Sequence, residues 1–194
     1  KYASFAVATT GVYSLVNAIK SGFSEAVEFQ NEIVKISQVT GTSTKDLKDL
    51  EKEVTRLSVG LGVSSQKLIN VSQILAQAGL SARDVKIGLE ALAKTELAPT
   101  FTDVEKTVEG AIASMRQFNI GIEDLEKTLG SFNTVAGAFA VESDDIVTAV
   151  RRAGAAFSAS GGTLNEFIAL FTSVRQTTRE SAETIATGFR TIFT

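Results

Sequence analysis

The chain has 194 residues, 44% hydrophobic and 21% charged, with a formal net charge of −3; this ordinary globular balance allows one large domain or two small ones. It contains no cysteine, histidine or tryptophan, which removes disulfides, thiolate chemistry, the commonest zinc ligands and the commonest general base. The negative balance supplies no field that would draw the chain to phosphate backbones or anionic lipid, and one proline, Pro99, fits long helices better than a turn-rich β fold, so the expected class is all-α.

Residues 2–19 carry no charge, and their length approaches the roughly 20 residues that cross a bilayer. Ser4, Thr9, Thr10, Gly11, Ser14 and Asn17 interrupt the run. Tyr2, Phe5, Val12, Val16, Ile19 and Phe23 recur at spacings of 3 and 4, with Thr9 filling the remaining position, as in a self-association seam between helices. A membrane-active segment is the other reading. A signal-like region fits least, because Lys1 is not a methionine and the chain reads as a piece of something longer. Phe29, Ile33 and Ile36 carry the same helix to about Val39, and Thr40-Gly41 ends it, giving a first segment over residues 1–41.

Ser43 or Thr44 is placed to cap the next helix, along which Leu47, Leu50, Val54, Leu57 and Leu61 form an apolar stripe. Gly60 and Gly62 loosen its end, Ser64 or Ser65 caps a second helix with Leu68, Val71, Leu75 and Ala78 on one face, and Gly79 closes it. "SARD", residues 81–84, has the form of a capping box, with Val85, Leu89 and Leu92 facing inward after it; past Pro99, "TDVE", residues 102–105, is a second box, followed by Val104, Val108, Ala111 and Met115 on one face. Residues 42–120 make a first four-helix unit.

Residues 121–194 repeat that order. Leu125, Leu129, Phe132, Val135 and Phe139 form the packing stripe of the first helix, Ile146 and Val150 that of the second, "TLNE" (163–166) opens a third, and a fourth begins near Ser181. A gapless offset of 78 superimposes Ser65 on Ser143, Leu68 on Ile146, Leu89 on Phe167, Leu92 on Leu170 and Gly110 on Gly188, the mark of a helical repeat. The small-residue stretches 135–140 and 152–162 read as close helix crossings, or as a hinge at Gly161 and Gly162 that lets the units move apart.

No chemistry emerges from the motifs. Neither Gly60-Leu61-Gly62 nor Gly161-Gly162-Thr163 is followed by the lysine and hydroxyl of a phosphate loop. Glu142, Asp144 and Asp145 lack the spaced ligands and intervening glycine of a calcium loop and suit a helix start, where they favour the dipole. Arg151-Arg152 point different ways on a helix and read as a solvated face, and the alternating charges from Lys45 to Lys52 read likewise. No catalytic residues, metal site, cofactor, enzyme activity or sequence-specific nucleic-acid binding is expected.

The stretch from Asp49 to Leu92, the junction Gly62-Val63-Ser64, the "AGLS" turn at 78–81, and the alanine-rich helix, turn and apolar helix between Val141 and Phe193 together resemble the core region of phage tail tape measure proteins, over roughly Phe29 to Phe193. Thr187-Gly188-Phe189-Arg190 matches that family's closing glycine-and-arginine segment in part. The resemblance implies a long helical protein inside the tail tube of a tailed phage or prophage, whose length sets tail length during assembly. It also implies a homo-oligomer about a common axis, tail tube and tail tip proteins as partners, and release with host membrane contact when DNA is delivered. A membrane-acting helical protein, pore-forming or aiding DNA translocation, is the alternative drawn from residues 2–19.

Overall fold

The computed structural model describes the backbone of residues 2–194, and the side chains of residues 20–194 apart from that of residue 23. Among the described residues the fold is all-α, with no strand. The helices are α1 (Tyr2–Thr40), α2 (Lys48–Leu61), α3 (Ser65–Gln77), α4 (Ala82–Thr95), α5 (Val104–Phe118), α6 (Leu125–Ala138), α7 (Ser143–Ala159), α8 (Leu164–Thr178) and α9 (Ala182–Ile192); a single 3₁₀ turn, Ile122–Asp124, precedes α6. The self-association stripe Tyr2, Phe5, Val12, Val16, Ile19 and Phe23 lies outside the described side chains.

Helices two apart in sequence lie side by side. The odd-numbered set forms one row in which α1 packs on α3, α3 on α5, α5 on α7 and α7 on α9; in the even-numbered row α2 packs on α4 and α4 on α6, while α8 packs on α7 and α9. This is the layout of stacked helical hairpins, each of which buries its apolar face against its neighbours. Ile33 and Ile36 of α1 are fully buried, whereas residues 20–22 and 24–28 are all exposed, so among the described side chains α1 packs on the body through its C-terminal end.

The local sequence explains where each helix starts. Ser43 acts one turn before α2: its hydroxyl accepts from the Asp46 N–H at 3.2 Å and donates to the Asp46 carboxylate at 2.6 Å. Ser81 accepts from the Asp84 N–H, but the Asp84 carboxylate accepts from the Ser81 hydroxyl, so the box is half formed. Thr163 and Glu166 make the complete box at α8. Ser181 caps α9. At α5 the box at Thr102 does not form. The Thr102 N–H and hydroxyl both donate to the Asp144 carboxylate of α7, and Asp103 becomes the cap, accepting from the Lys106 N–H at 3.0 Å. Neither Ser64 nor Ser65 makes a side-chain cap at α3: Ser64 occupies the capping position without one.

The 78-residue period holds for some helix starts and slips at one. Ser65 and Ser143 open α3 and α7, Val104 and Ala182 begin α5 and α9, and in both cases the separation is 78 residues (143 − 65 and 182 − 104). The start of α8 trails that of α4 by 82 (164 − 82). The extra turn sits at the end of α7. α3 closes at Gly79 with hydrogen bonds from Gly79 N–H to Ala76 O and from Leu80 N–H to Leu75 O; α7 closes the same way at Gly161, with Gly161 N–H bonded to Ser158 O and Gly162 N–H to Phe157 O. Structural partners in the third helix are therefore Val85 with Phe167 and Leu89 with Phe171, all fully buried. The pairing of Leu92 with Leu170 fails, because Leu92 is 2% exposed and Leu170 37%.

Gly161 and Gly162 thus do not stand between the two units. They terminate α7 inside the second, Gly161 at φ +92° where glycine has no steric cost, and a Cβ on Gly162 would collide with the Phe157 ring. Two hydrogen bonds close the turn. Of the apolar stripes, Leu47, Leu50, Val54, Leu57, Leu125, Leu129 and Phe132 are buried, and Leu61 and Val135 are partly buried against them. Phe139 is not in the core. α6 ends at Ala138, Phe139 adopts an extended backbone, and its ring is carried out of the stripe to 48% exposure.

A candidate interaction groove

Where α4 packs on α6, ion pairs help to stitch the rows: Lys94 of α4 meets Glu126 of α6 at 2.7 Å, and this hydrogen bond holds the Lys94 ammonium above the ordinary lysine range. Arg151 of α7 pairs with Glu109 of α5, and Arg175 of α8 with Asp145 of α7 at 3.3 Å. Asp144, bonded to Thr102, and Asp145, bonded to Arg175, are engaged by different elements and do not converge on one point. Near α4, the buried Glu53 accepts from Arg56 at 2.5 Å; that guanidinium holds its carboxyl below the ordinary range against the opposing effect of burial.

Between α6 and α8 the even-numbered row opens. A groove of about 410 Å³ runs there, walled on one side by Ser131, Val135 and Phe139 and on the other by Asn165, Ile168, Ala169, Thr172, Ser173 and Gln176. Ser131 and Val135 of α6 are four apart, with Phe139 just past the helix end, and the α8 residues fall at intervals of three, one, three, one and three, so each helix turns one face into the gap. None of these side chains is charged. At Ser131 and Asn165 the groove continues into a more polar recess bounded by Lys127, Asp124 and the turn at Thr163.

Two features make the groove unlike ordinary surface. Ile168 is buried at its base while Phe139, at the rim, is half exposed. Thr172 is 5% exposed and its hydroxyl has no hydrogen-bond partner. Other helical threonines in the chain donate to the carbonyl four residues earlier, as Thr55 does to Glu51, Thr107 to Asp103, Thr148 to Asp144 and Thr177 to Ser173. A buried hydroxyl without a partner costs free energy.

The opposite face of α8 is packed on an aromatic cluster. Phe167 is fully buried and its ring sits 5.4 Å from Phe157, 5.9 Å from Phe189 and 6.1 Å from Phe118, with Phe193 a further 4.8 Å beyond Phe157, in tilted and edge-to-face arrangements favoured by aromatic quadrupoles. The cluster seats α8 on α7 and α9. Sequence reasoning assigns nothing to Ile168, Ala169 or Thr172, and it places Val135 and Phe139 of the other wall in a packing stripe. The signal available in the sequence is that α8 has two weakly apolar faces, one with Phe167 and Phe171 and another with Ile168, Ala169 and Thr172.

Among the described residues no group of three or more acidic side chains is placed to hold a metal ion, and no helix is long and apolar enough to cross a membrane. No solved structure matches the chain. The phage-related minor tail protein family does match, over residues 51–194, from the first turn of α2 through the whole of α9. The chain belongs to the phage-related minor tail protein family, and so is a structural component of the phage tail.

Proposed function

We propose that this chain is a helical module of the tail's tape measure protein, lying inside the tail tube and belonging to a longer chain whose length sets tail length during assembly. The observation that carries this reading is the family match over residues 51–194, joined to the tape-measure-like segments Gly62-Val63-Ser64 and Ala78–Ser81. Several copies share the tail axis, the tube and tip proteins are the partners, and the chain does no catalysis. Protease added to intact tails should leave this segment uncut, and should digest it once DNA ejection has been triggered; digestion in intact tails would exclude an interior position.

Residues 2–19, which carry no charge, favour a second reading, in which the helix acts on a membrane during ejection. Flotation with liposomes decides it: recovery that is lost when Val12 and Val16 are both changed to lysine supports membrane action, and absence from the liposome fraction removes it.

A further inference from the structure

We propose that Lys106, Arg151 and Arg152 form a binding site for a phosphate group where α5, α7 and α9 meet. The three cations line one cavity of about 360 Å³, and Thr148 and Glu183 complete its wall. Adjacent arginines point different ways on a helix, yet both reach this cavity because α7 packs on α5 and on α9. Lys106 is half-buried, while Arg151, Arg152 and Glu183 are exposed, so the cavity is open to a solute. Arg151 is committed to Glu109 of α5. Neither Lys106 nor Arg152 forms a salt bridge or a side-chain hydrogen bond among the described residues. Glu183 is the single acid on the wall. Its carboxyl is held below the ordinary range chiefly by its own backbone N–H, with the nearby charges of Arg152 and Lys106 adding to the effect.

The first unit supplies an internal control. A cavity of about 350 Å³ lies between α3 and the start of α5, and its wall includes Asn70, Ile74 and Glu105, which stand 78 residues before Thr148, Arg152 and Glu183. At the same offset Glu28 and Gln73 precede Lys106 and Arg151. The fold therefore makes the cavity in both units, and the acid at its rim, but it does not require cations there: the first unit has Glu, Gln and Ile at the three positions. Like charges gathered around one cavity repel one another, a cost that a bound anion would offset. Arginine forks and a lysine ammonium are the donors that recognise phosphate oxygens, and a phosphate group carries close to two negative charges near neutral pH, matching the two cations that have no partner. No aromatic or aliphatic side chain lines the cavity, so recognition is of the phosphate group and not of a base or an acyl chain attached to it.

Phosphorus NMR of inorganic phosphate, titrated with the full chain at low ionic strength, tests this, because broadening of the phosphate line reads binding whatever the oligomeric state of the chain. The wild-type chain should broaden the line saturably. Lys106→Gln and Arg152→Gln should each weaken binding about tenfold. Glu183→Gln removes the acid that faces the site and should tighten binding about threefold, a gain that an unfolded variant could not show. Lys45→Gln removes an exposed cation in the turn before α2 and should leave binding unchanged. Adenosine monophosphate identifies the source of the phosphate: affinity equal to that of inorganic phosphate assigns the site to the phosphate group alone, and tighter binding that Arg152→Gln also weakens assigns it to a phosphomonoester. Three results overturn the proposal: no broadening by the wild-type chain, a loss in Lys45→Gln as large as in Arg152→Gln, or a Glu183→Gln chain that binds no tighter than wild type.

Discussion

Gly110 of α5 lies against Val147 of α7 so closely that a Cβ at position 110 would stand 2.5 Å from Val147 Cγ1 and 3.1 Å from its Cβ. The β-branched valine has little rotamer freedom with which to yield. Gly110→Ala should therefore destabilise the chain by about 1–3 kcal/mol, the cost of overpacking a tight core. Gly188, 78 residues on, has nothing within 4 Å of the same added atom, and Gly188→Ala should stabilise by about 0.5–1 kcal/mol through helix propensity alone. Chemical denaturation of both variants measures the contrast; equal effects would show that the α5–α7 crossing is looser than described.

Phe167 is the centre of the aromatic cluster that seats α8. Phe167→Ala should cost about 3–5 kcal/mol, the usual range for truncating a buried phenylalanine, visible as a large fall in the urea midpoint. The exposed change Ala169→Arg on the neighbouring face should move the midpoint little. If Phe167→Ala costs under about 1 kcal/mol, the cluster is not what holds α8.

Helix caps separate side chains that work from those that only look placed to. Asp103→Ala and Thr163→Ala each remove an acceptor for a first-turn N–H and should each cost about 1 kcal/mol. Ser64, which is exposed and caps nothing, should tolerate alanine to within about 0.5 kcal/mol. Thermal melts of the three variants rank them directly.

Glu53 has a folded-state pKa held below its unfolded value by the Arg56 guanidinium, and Glu166 is held low by the Thr163 N–H and hydroxyl. A depressed carboxyl contributes stability above its unfolded pKa, and that contribution is lost as pH falls through the folded value. Stability should therefore decline on acidification from about pH 6 to about pH 3. Glu53→Gln should flatten this acid limb while lowering stability at neutral pH. A limb of unchanged slope in urea titrations would show that the Glu53–Arg56 bond is not maintained in solution.

Signals held within one turn are legible in the sequence. The hydroxyls of Ser81, Thr163 and Ser181 cap their helices because their partners lie three residues away. Thr102 departs from its local pattern because Asp144, 42 residues distant, takes both its hydrogens. The one-turn slip of α8 is hidden in the sequence because an added turn returns an amphipathic stripe to almost the same phase, so a 78-residue alignment still matches apolar to apolar at Leu89 and Phe167. Phe139 continues the spacing of α6 but falls one residue past its end. The groove leaves no motif at all: its walls are neutral residues whose shared position depends on α8 being drawn onto α7 and α9.

The ruler is the central claim, and tail length tests it most directly. Phage carrying in-frame deletions of helical sequence outside this segment in the parent gene should make tails shorter by about 1.5 Å for every residue removed, the rise of an α-helix, as measured by electron microscopy across a series of deletion sizes. Tails of constant length across that series, with the shortened protein present in the particles, would contradict the account.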